Sequence, residues 1–165
     1  MSKTVYLLRH AKAEPHNFAI RDFERNLAVK GRTDAHMMGT MLKSRISHET
    51  RILASPALRT KQTAEIFASA MQLVYPITFV EEMYNAPYDT YKKILLSLHD
   101  EFNEVMFIGH NPGISLALEN FSGEQDLDMP TCAIGKIELP IDAWAMFTHQ
   151  SGSLAWFEYP ARYRV

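Results

Sequence analysis

The sequence has a single cysteine, no long apolar segment and almost no excess of charge of either sign. Because Cys132 has no second cysteine to pair with, an intramolecular disulfide is excluded and a reducing compartment is favoured. No apolar run approaches the ~20 residues that a membrane-spanning helix needs. The balance of 17 Lys and Arg residues against 19 Asp and Glu residues leaves no basic footprint for nucleic acid. These absences predict a cytoplasmic protein with neither a nucleic-acid nor a membrane partner.

The length and composition predict one globular domain that covers residues 1–165. Hydrophobic residues make up 47% of the chain and charged residues 22%, as is typical of a domain with a proper core. The first predicted strand follows Met1-Ser2-Lys3 so closely that we expect no signal peptide. Short apolar runs alternate with amphipathic helical segments, which favours an α/β fold with a mostly parallel sheet covered on both faces.

The apolar pattern predicts six strands and four helices. The strands are expected at Val5–Leu8, Arg51–Ala54, Ile77–Val80, Glu104–Ile108, Cys132–Leu139 and Ser153–Tyr159. The helices are expected at about 28–45, from Ser55 to Met71, at Thr90–His99 and from Asn111 to Phe121. Ser55 and Asn111 are predicted N-caps, since each precedes a proline suited to the first helical position.

Basic side chains follow three of these strands at the point where each strand ends. In open α/β sheets, ligands bind beyond the carboxyl ends of the strands. If the three strands are neighbours, two arginines, two histidines and two helix amino termini meet there, and such a set suits an anion such as phosphate. The side chains concerned are Arg9, His10, Arg59 and His110.

A metal site is the other common use of two histidines. The sequence has no H-x-x-x-H spacing and no cysteine cluster, and arginines beside the histidines would repel a cation. We therefore predict that the site holds no metal and no cofactor.

Three motifs, in this order and spacing, resemble those of the histidine phosphatase superfamily, the relatives of cofactor-dependent phosphoglycerate mutase. They are Leu-Leu-Arg-His-Ala at 7–11, Ser-Pro-Ala-Leu-Arg-Thr-Lys-Gln-Thr-Ala at 55–64 and Gly-His-Asn-Pro at 109–112. Asp22, Arg25, Leu27 and the run Lys30-Gly31-Arg32 resemble the phosphohistidine phosphatase branch more than the mutases. The resemblance implies a three-layer α/β/α sandwich of the phosphoglycerate mutase type.

The resemblance also implies the roles of the site residues. His10 would attack phosphorus and become phosphorylated, and Arg9, Arg59 and His110 would hold the phosphoryl oxygens. Arg25 is expected to add a contact from the loop. Ser55 and Asn111, at the helix starts, are expected to bind substrate as well.

The resemblance further implies a carboxylic acid that protonates the leaving group, in the loop after the third strand. Glu82 is the best positional match, Glu81 is the alternative, and both could instead be surface charges. Ala11 stands where the superfamily usually has glycine, so either the backbone there is conventional or the site is altered.

The loop from Val80 to Thr90 is short, and a short loop leaves an open cleft that suits a phosphate displayed on a protein. The sequence thus predicts a metal-independent phosphatase that hydrolyses phosphohistidine on a protein of the histidine-containing phosphotransfer type. One alternative is a phosphomonoesterase or mutase that acts on small phosphorylated metabolites. Another is a non-catalytic phosphate-binding module, which only Ala11 suggests.

Overall fold

A computed structural model describes residues 2–164, which form six strands and four α-helices. Strands and helices alternate up to the fourth helix, and two consecutive strands follow it. The strands are β1 (Lys3–Arg9), β2 (Arg51–Ala54), β3 (Thr78–Phe79), β4 (Glu104–Gly109), β5 (Ile134–Leu139) and β6 (Ser153–Glu158). The helices are α1 (Val29–Leu42), α2 (Leu58–Met71), α3 (Tyr88–Leu96) and α4 (Gly113–Ser122). None of these helices is long and apolar enough to cross a lipid bilayer.

The six strands form one sheet in the order β3-β2-β4-β1-β5-β6. Strands β1 to β4 run parallel to one another, while β5 is antiparallel to both of its neighbours. The sheet is therefore mostly parallel, as predicted. The register pairs Arg9 with Gly109 and Ala54 with Ile108, so the carboxyl ends of β1, β2 and β4 lie side by side.

Helices cover both faces of the sheet, which confirms the three-layer sandwich. Along β1 the side chains alternate between the two cores, because successive residues of a strand point to opposite faces. Tyr6 and Leu8 pack with the buried residues of α1 and α2, whereas Val5 and Leu7 pack with those of α3 and α4. A central strand that is buried on both faces explains the unbroken apolar run in the sequence.

Two helices begin later than predicted, α2 by two residues and α4 by one residue. Helix α2 begins at Leu58, because the backbone N–H of Ser55 still donates to the carbonyl of Ile108 and keeps the chain in the sheet. Helix α4 begins at Gly113, and the side chain of Asn111 does not cap it. Neither Ser55 nor Asn111 is thus the N-cap that the sequence predicted.

Three other boundaries also differ from the prediction. The third strand has only two residues, both exposed, at the edge of the sheet. The fifth strand begins at Ile134, since Cys132 has a φ of 63°, which an extended strand excludes. Helix α3 begins earlier than expected, at Tyr88, directly after Pro87.

Candidate active site

The adjacent carboxyl ends of β1, β2 and β4 open into a cavity of about 460 Å³. Loops between the strands complete its wall. The lining residues are Arg9, His10, Lys12, Ala13, Asp22, Arg25, Arg59, Asn85, His110, Asn111 and Thr131. The structure therefore brings together the two arginines and two histidines that the sequence predicted, although they are up to 101 positions apart (110 − 9).

The ring of His10 is fixed in one tautomer by its own neighbour along the chain. His10 Nδ1 lies 2.7 Å from the carbonyl oxygen of Ala11, which can only accept a hydrogen bond. The proton is therefore on Nδ1, and Nε2 keeps its lone pair. This is the arrangement that a nucleophilic imidazole requires.

The surroundings of His10 also keep the ring neutral. Burial, with help from the charges of Arg59 and Arg9, lowers the pKa of His10 to about 4, against the opposing effect of the Ala11 carbonyl. The centre of the ring lies 5.3 Å from the centre of the His110 ring. At pH 7 the imidazole is thus almost wholly neutral, and Nε2 needs no general base to remove a proton from it.

His110 is held by hydrogen bonds at both ring nitrogens. Arg59 Nη2 lies 3.2 Å from Nδ1, and the hydroxyl of Ser55 lies 2.8 Å from Nε2. Since a guanidinium can only donate, Nδ1 is the acceptor and Nε2–H donates to Ser55. Burial first, then the nearby His10 and Arg59, lower the pKa of His110 to about 3. This ring is therefore also neutral.

Ser55 does not line the cavity, so the structure does not support the predicted contact between Ser55 and substrate. The residue is completely buried, and its hydroxyl accepts from the backbone N–H of Ala57 at 3.3 Å as well as contacting His110. It therefore orients a site residue from behind. The chain direction at the end of β2 decides this, because it turns the side chain toward β4.

The guanidinium of Arg59 is anchored by Asp22, a contact that the sequence did not predict. Arg59 is only 3% exposed, and it donates to the carbonyl oxygen of Asp22 at 2.8 Å and to its carboxylate at 3.1 Å. The same carboxylate accepts from the Tyr84 hydroxyl at 2.5 Å and from Arg25 Nε at 3.0 Å. Asp22 thus positions both arginines.

Asp22 is firmly ionised in this setting. Partial burial raises the pKa of its carboxyl, but the hydrogen bond from Tyr84 and the charge of Arg59 outweigh burial and lower that pKa to about 2. The residue was visible in the sequence only as part of the spacing of Asp22, Arg25 and Leu27. Nothing in that spacing indicated that the carboxylate lies in the cavity.

Arg9 and Asn111 border the cavity and are tied to the loop after α4. Arg9 Nη1 donates to the carbonyl of Met129 at 2.8 Å, and its Nε has no partner among residues 2–164. Asn111 Nδ2 donates to the same carbonyl and to Asp128, at 3.1 Å each. Both side chains therefore border the cavity from a fixed base, and their predicted roles toward the substrate stay predictions.

The carboxylic acid predicted at Glu82, or alternatively at Glu81, does not line the cavity. Both residues are exposed and belong to a 3₁₀ helix at Glu81–Met83. The buried residue of that turn is Met83, which joins the core, so the two glutamates are left at the surface. The general-acid role that the resemblance implied for Glu82 has no geometric support, because a proton donor must lie within hydrogen-bond reach.

Ala11 replaces the usual glycine without backbone strain. Its φ is not positive, its N–H donates to the Thr63 hydroxyl at 3.0 Å, and its side chain is fully buried. The conventional backbone that the sequence left open is therefore the correct alternative.

Metal-binding side chains are not clustered in the part of the chain that the structure describes. Across residues 2–164, no group of three or more His, Cys, Asp or Glu side chains could hold a metal ion. The predicted absence of a metal from the reaction stays a prediction.

Comparisons with known proteins agree with this geometry. The sequence profile of the histidine phosphatase superfamily (branch 1) matches residues 5–106. An uncharacterized protein of Mycobacterium leprae is 28% identical over 165 residues, which cover 93% of this chain and 99% of that protein.

Two solved structures share the whole fold. A protein of Agrobacterium tumefaciens named as a phosphohistidine phosphatase, SixA, superposes with a TM-score of 0.82 at 30% identity, over 96% of this chain and 98% of that one. A protein histidine phosphatase SixA complexed with tungstate has a TM-score of 0.83 at 23% identity, over 98% of this chain and 99% of that one, and shows the fold alone. With its ordered motifs, its phosphoglycerate mutase-like sandwich and a profile match over most of its length, the chain belongs to the histidine phosphatase superfamily, in the group that resembles SixA.

Proposed function

We propose that this protein is a phosphatase that hydrolyses phosphohistidine on a protein, through a phosphorylated His10. A phosphatase reaction is supported by the superfamily and by the neutral, correctly oriented imidazole at the centre of a basic cavity. The choice of phosphohistidine as the substrate depends on how the leaving group receives its proton.

The choice of phosphohistidine depends on the ionised carboxylate of Asp22. Among the described residues that line the cavity, it is the one carboxylic acid, and a pKa of about 2 keeps it ionised at neutral pH. An alkyl phosphate expels an alkoxide, a strong base that needs a proton in the transition state. Phosphohistidine expels imidazole, whose conjugate acid has a pKa of about 6.5. A cavity without a neutral carboxylic acid therefore favours the imidazole leaving group.

In the first step, His10 Nε2 attacks phosphorus. The nitrogen–phosphorus bond of the substrate breaks, and its electron pair stays on the departing imidazole, which carries a proton on its other nitrogen. The Arg9 and Arg59 side chains and the His110 ring border the position of the phosphoryl oxygens, where the arginine donors stabilise charge in the transition state.

In the second step, water attacks the phosphorus of phosphorylated His10. The proton stays on Nδ1, where it is hydrogen-bonded to the Ala11 carbonyl, so the phosphorylated ring carries a positive charge. When the phosphoryl group departs, the ring becomes neutral imidazole. The Nε2–P bond breaks, water supplies the new P–O bond, and one of its protons passes to solvent or phosphate. The enzyme returns to its starting tautomer.

The test is turnover measured in parallel on three substrates: a histidine-containing phosphotransfer protein phosphorylated on histidine, a sugar phosphate and 3-phosphoglycerate. We expect the phosphoprotein to be preferred by a factor of at least about 10² in kcat/KM, which is the lower range of a general acid's contribution. EDTA should leave the rate unchanged. A clear preference for either small phosphate would replace this proposal with the phosphomonoesterase or mutase alternative.

A further inference from the structure

A second cavity lies directly beside the first and has a different character. It has a volume of about 530 Å³ and is formed by the loop that follows β1. Its lining residues are Glu14, Pro15, His16, Asn17, Phe18, Ile20, Arg25 and Asn26. Arg25 lines both cavities, so the two adjoin at its side chain.

Arg25 forms a fixed wall between the two cavities. Its Nε donates to the Asp22 carboxylate at 3.0 Å, and Nη1 donates to the carbonyl of Glu14 at 2.9 Å. The bond to Asp22 holds the guanidinium at the cavity around His10, and the bond to Glu14 holds it at the cavity of the loop. The position of the loop groove relative to His10 is thus set by the same side chain that borders the phosphoryl position.

The loop presents an aromatic ring to solvent. Phe18 is 102% exposed, the highest value among the exposed large apolar residues of the described chain. Ile20 is 43% exposed. The turn that carries them is held by Asn17, whose side chain accepts from the N–H of Ala19 at 2.8 Å and whose carbonyl accepts from Ile20 at 3.0 Å. The Phe18 ring makes an edge contact with His16, with 5.7 Å between the ring centres.

Exposed apolar side chains that share a groove next to an active site are typical of a recognition surface, and aromatic residues often dominate the energy of such surfaces. A small phosphorylated metabolite that fills the cavity around His10 would have no group left to reach Phe18 beyond Arg25. A polypeptide that carries the phosphoryl group would continue past Arg25 into the groove.

We propose that the groove at residues 14–20 docks the polypeptide around the phosphohistidine, with an apolar side chain of the substrate packed on Phe18 and Ile20. This inference rests on the proposed function, since it requires a protein substrate. Charge complementarity supports the orientation, because Arg9, Lys12 and Arg59 attract the phosphoryl group to the first cavity while the groove offers an apolar face.

The experiment compares two substrates that share the reacting bond: phosphohistidine as the free amino acid and a phosphorylated histidine-containing phosphotransfer protein. For Phe18→Ala and Phe18→Asp we expect about a tenfold or larger rise in KM for the phosphoprotein, with kcat unchanged. Turnover of free phosphohistidine should stay within about twofold of the wild type, since Phe18 is outside the cavity that holds His10.

Val74→Asp is the matched control. Val74 is also an exposed apolar residue, at 63%, but it follows α2 at the end of the molecule away from the cavity. It should change neither substrate's kinetics. Unchanged phosphoprotein kinetics in both Phe18 variants would overturn the docking inference, and equal losses on both substrates would do the same by placing Phe18 in the catalytic geometry. If the wild type hydrolyses neither phosphohistidine substrate, the proposed function itself fails, and the docking inference falls with it.

Discussion

The Ser55 hydroxyl and His110 Nε2 lie 2.8 Å apart at the carboxyl ends of two neighbouring strands, both out of contact with bulk solvent. Because Arg59 donates to Nδ1, the proton of His110 is on Nε2, and the Ser55 hydroxyl accepts it. A residue that does not line the cavity therefore helps to hold a cavity histidine in its orientation. Ser55 is a positioning residue, and its role differs from the substrate contact that the sequence suggested.

Replacing Ser55 should leave the Nε2–H of His110 without its hydrogen-bond acceptor while the fold is kept. We expect Ser55→Ala to lower kcat/KM about tenfold, since one buried hydrogen bond contributes about 1 kcal/mol and a tenfold change is about 1.4 kcal/mol. In ¹⁵N NMR, His110 should carry its proton on Nε2 in both proteins, because Arg59 still donates to Nδ1, and the Nε2 signal should shift in the variant, which has lost the acceptor. Ser97→Ala, which removes an exposed hydroxyl, is the control. An unshifted His110 Nε2 signal in Ser55→Ala would remove the positioning role.

His10 and its anion-binding neighbours should differ sharply in how much activity each variant retains. His10→Gln should abolish turnover, because no other neutral imidazole stands with a free lone pair toward the phosphoryl position. Arg59→Ala should leave a trace of activity, at a loss of about 10²–10³, the typical effect of removing one transition-state donor. His110→Ala should also leave a trace, because it removes the ring that accepts from Arg59 and helps to hold that guanidinium in place. Rapid quench during turnover should trap acid-labile phosphate on His10. Near-normal turnover in His10→Gln would disprove the covalent mechanism.

Asp22 and Glu82 both belong to loops at the carboxyl end of the sheet, but only Asp22 lines the cavity. Glu82→Gln should leave hydrolysis of phosphohistidine and of alkyl phosphates within about twofold of wild type, as is usual for a surface substitution. Asp22→Asn should cost about tenfold or more on both substrates, because Arg59 and Arg25 lose their shared anchor. A loss in Glu82→Gln confined to alkyl phosphates would instead restore Glu82 as the general acid.

The buried histidines should make the protein less stable in acid. Burial lowers the pKa of His10 to about 4, against about 6.5 in the unfolded chain. Between these two values the unfolded state binds more protons, so the free energy of unfolding rises with pH and is lost as pH falls from about 6.5 to about 4. Above about pH 6.5 both states are neutral at this residue, and it contributes no pH dependence.

Chemical denaturation at pH 7 and at pH 4.5 measures this effect. The lower value, pH 4.5, is still above the range in which Asp22 takes up its proton. His10→Asn should reduce the stability lost between the two pH values by about 2 kcal/mol. His99→Asn, which alters an exposed histidine, should leave that difference unchanged. An equal loss in wild type and His10→Asn would show that His10 is not held neutral by the fold.

Local sequence pattern is enough to predict the layer architecture and to group Arg9, His10, Arg59 and His110 at the strand ends. The apolar run Val5–Leu8 has no alternation because β1 is buried on both faces, and such a run is legible without a structure. Arg9, His10 and His110 follow directly from strand ends, and Arg59 lies near the start of the next helix, so topology alone brings them together. These features depend on local pattern and on the geometry common to all parallel sheets.

Contacts between segments that are distant in the chain could not be predicted from the sequence, because they depend on how the whole fold packs. Asp22 meets Arg59 and Tyr84 across 37 and 62 residues, and no local pattern encodes such a meeting. Ser55 contacts His110 instead of capping α2, because its backbone N–H still pairs with Ile108 of β4 and the helix starts only after it. Glu82 is turned outward because Met83 takes the buried position of that turn. Side-chain direction at the ends of elements follows from packing, and packing is a property of the assembled fold.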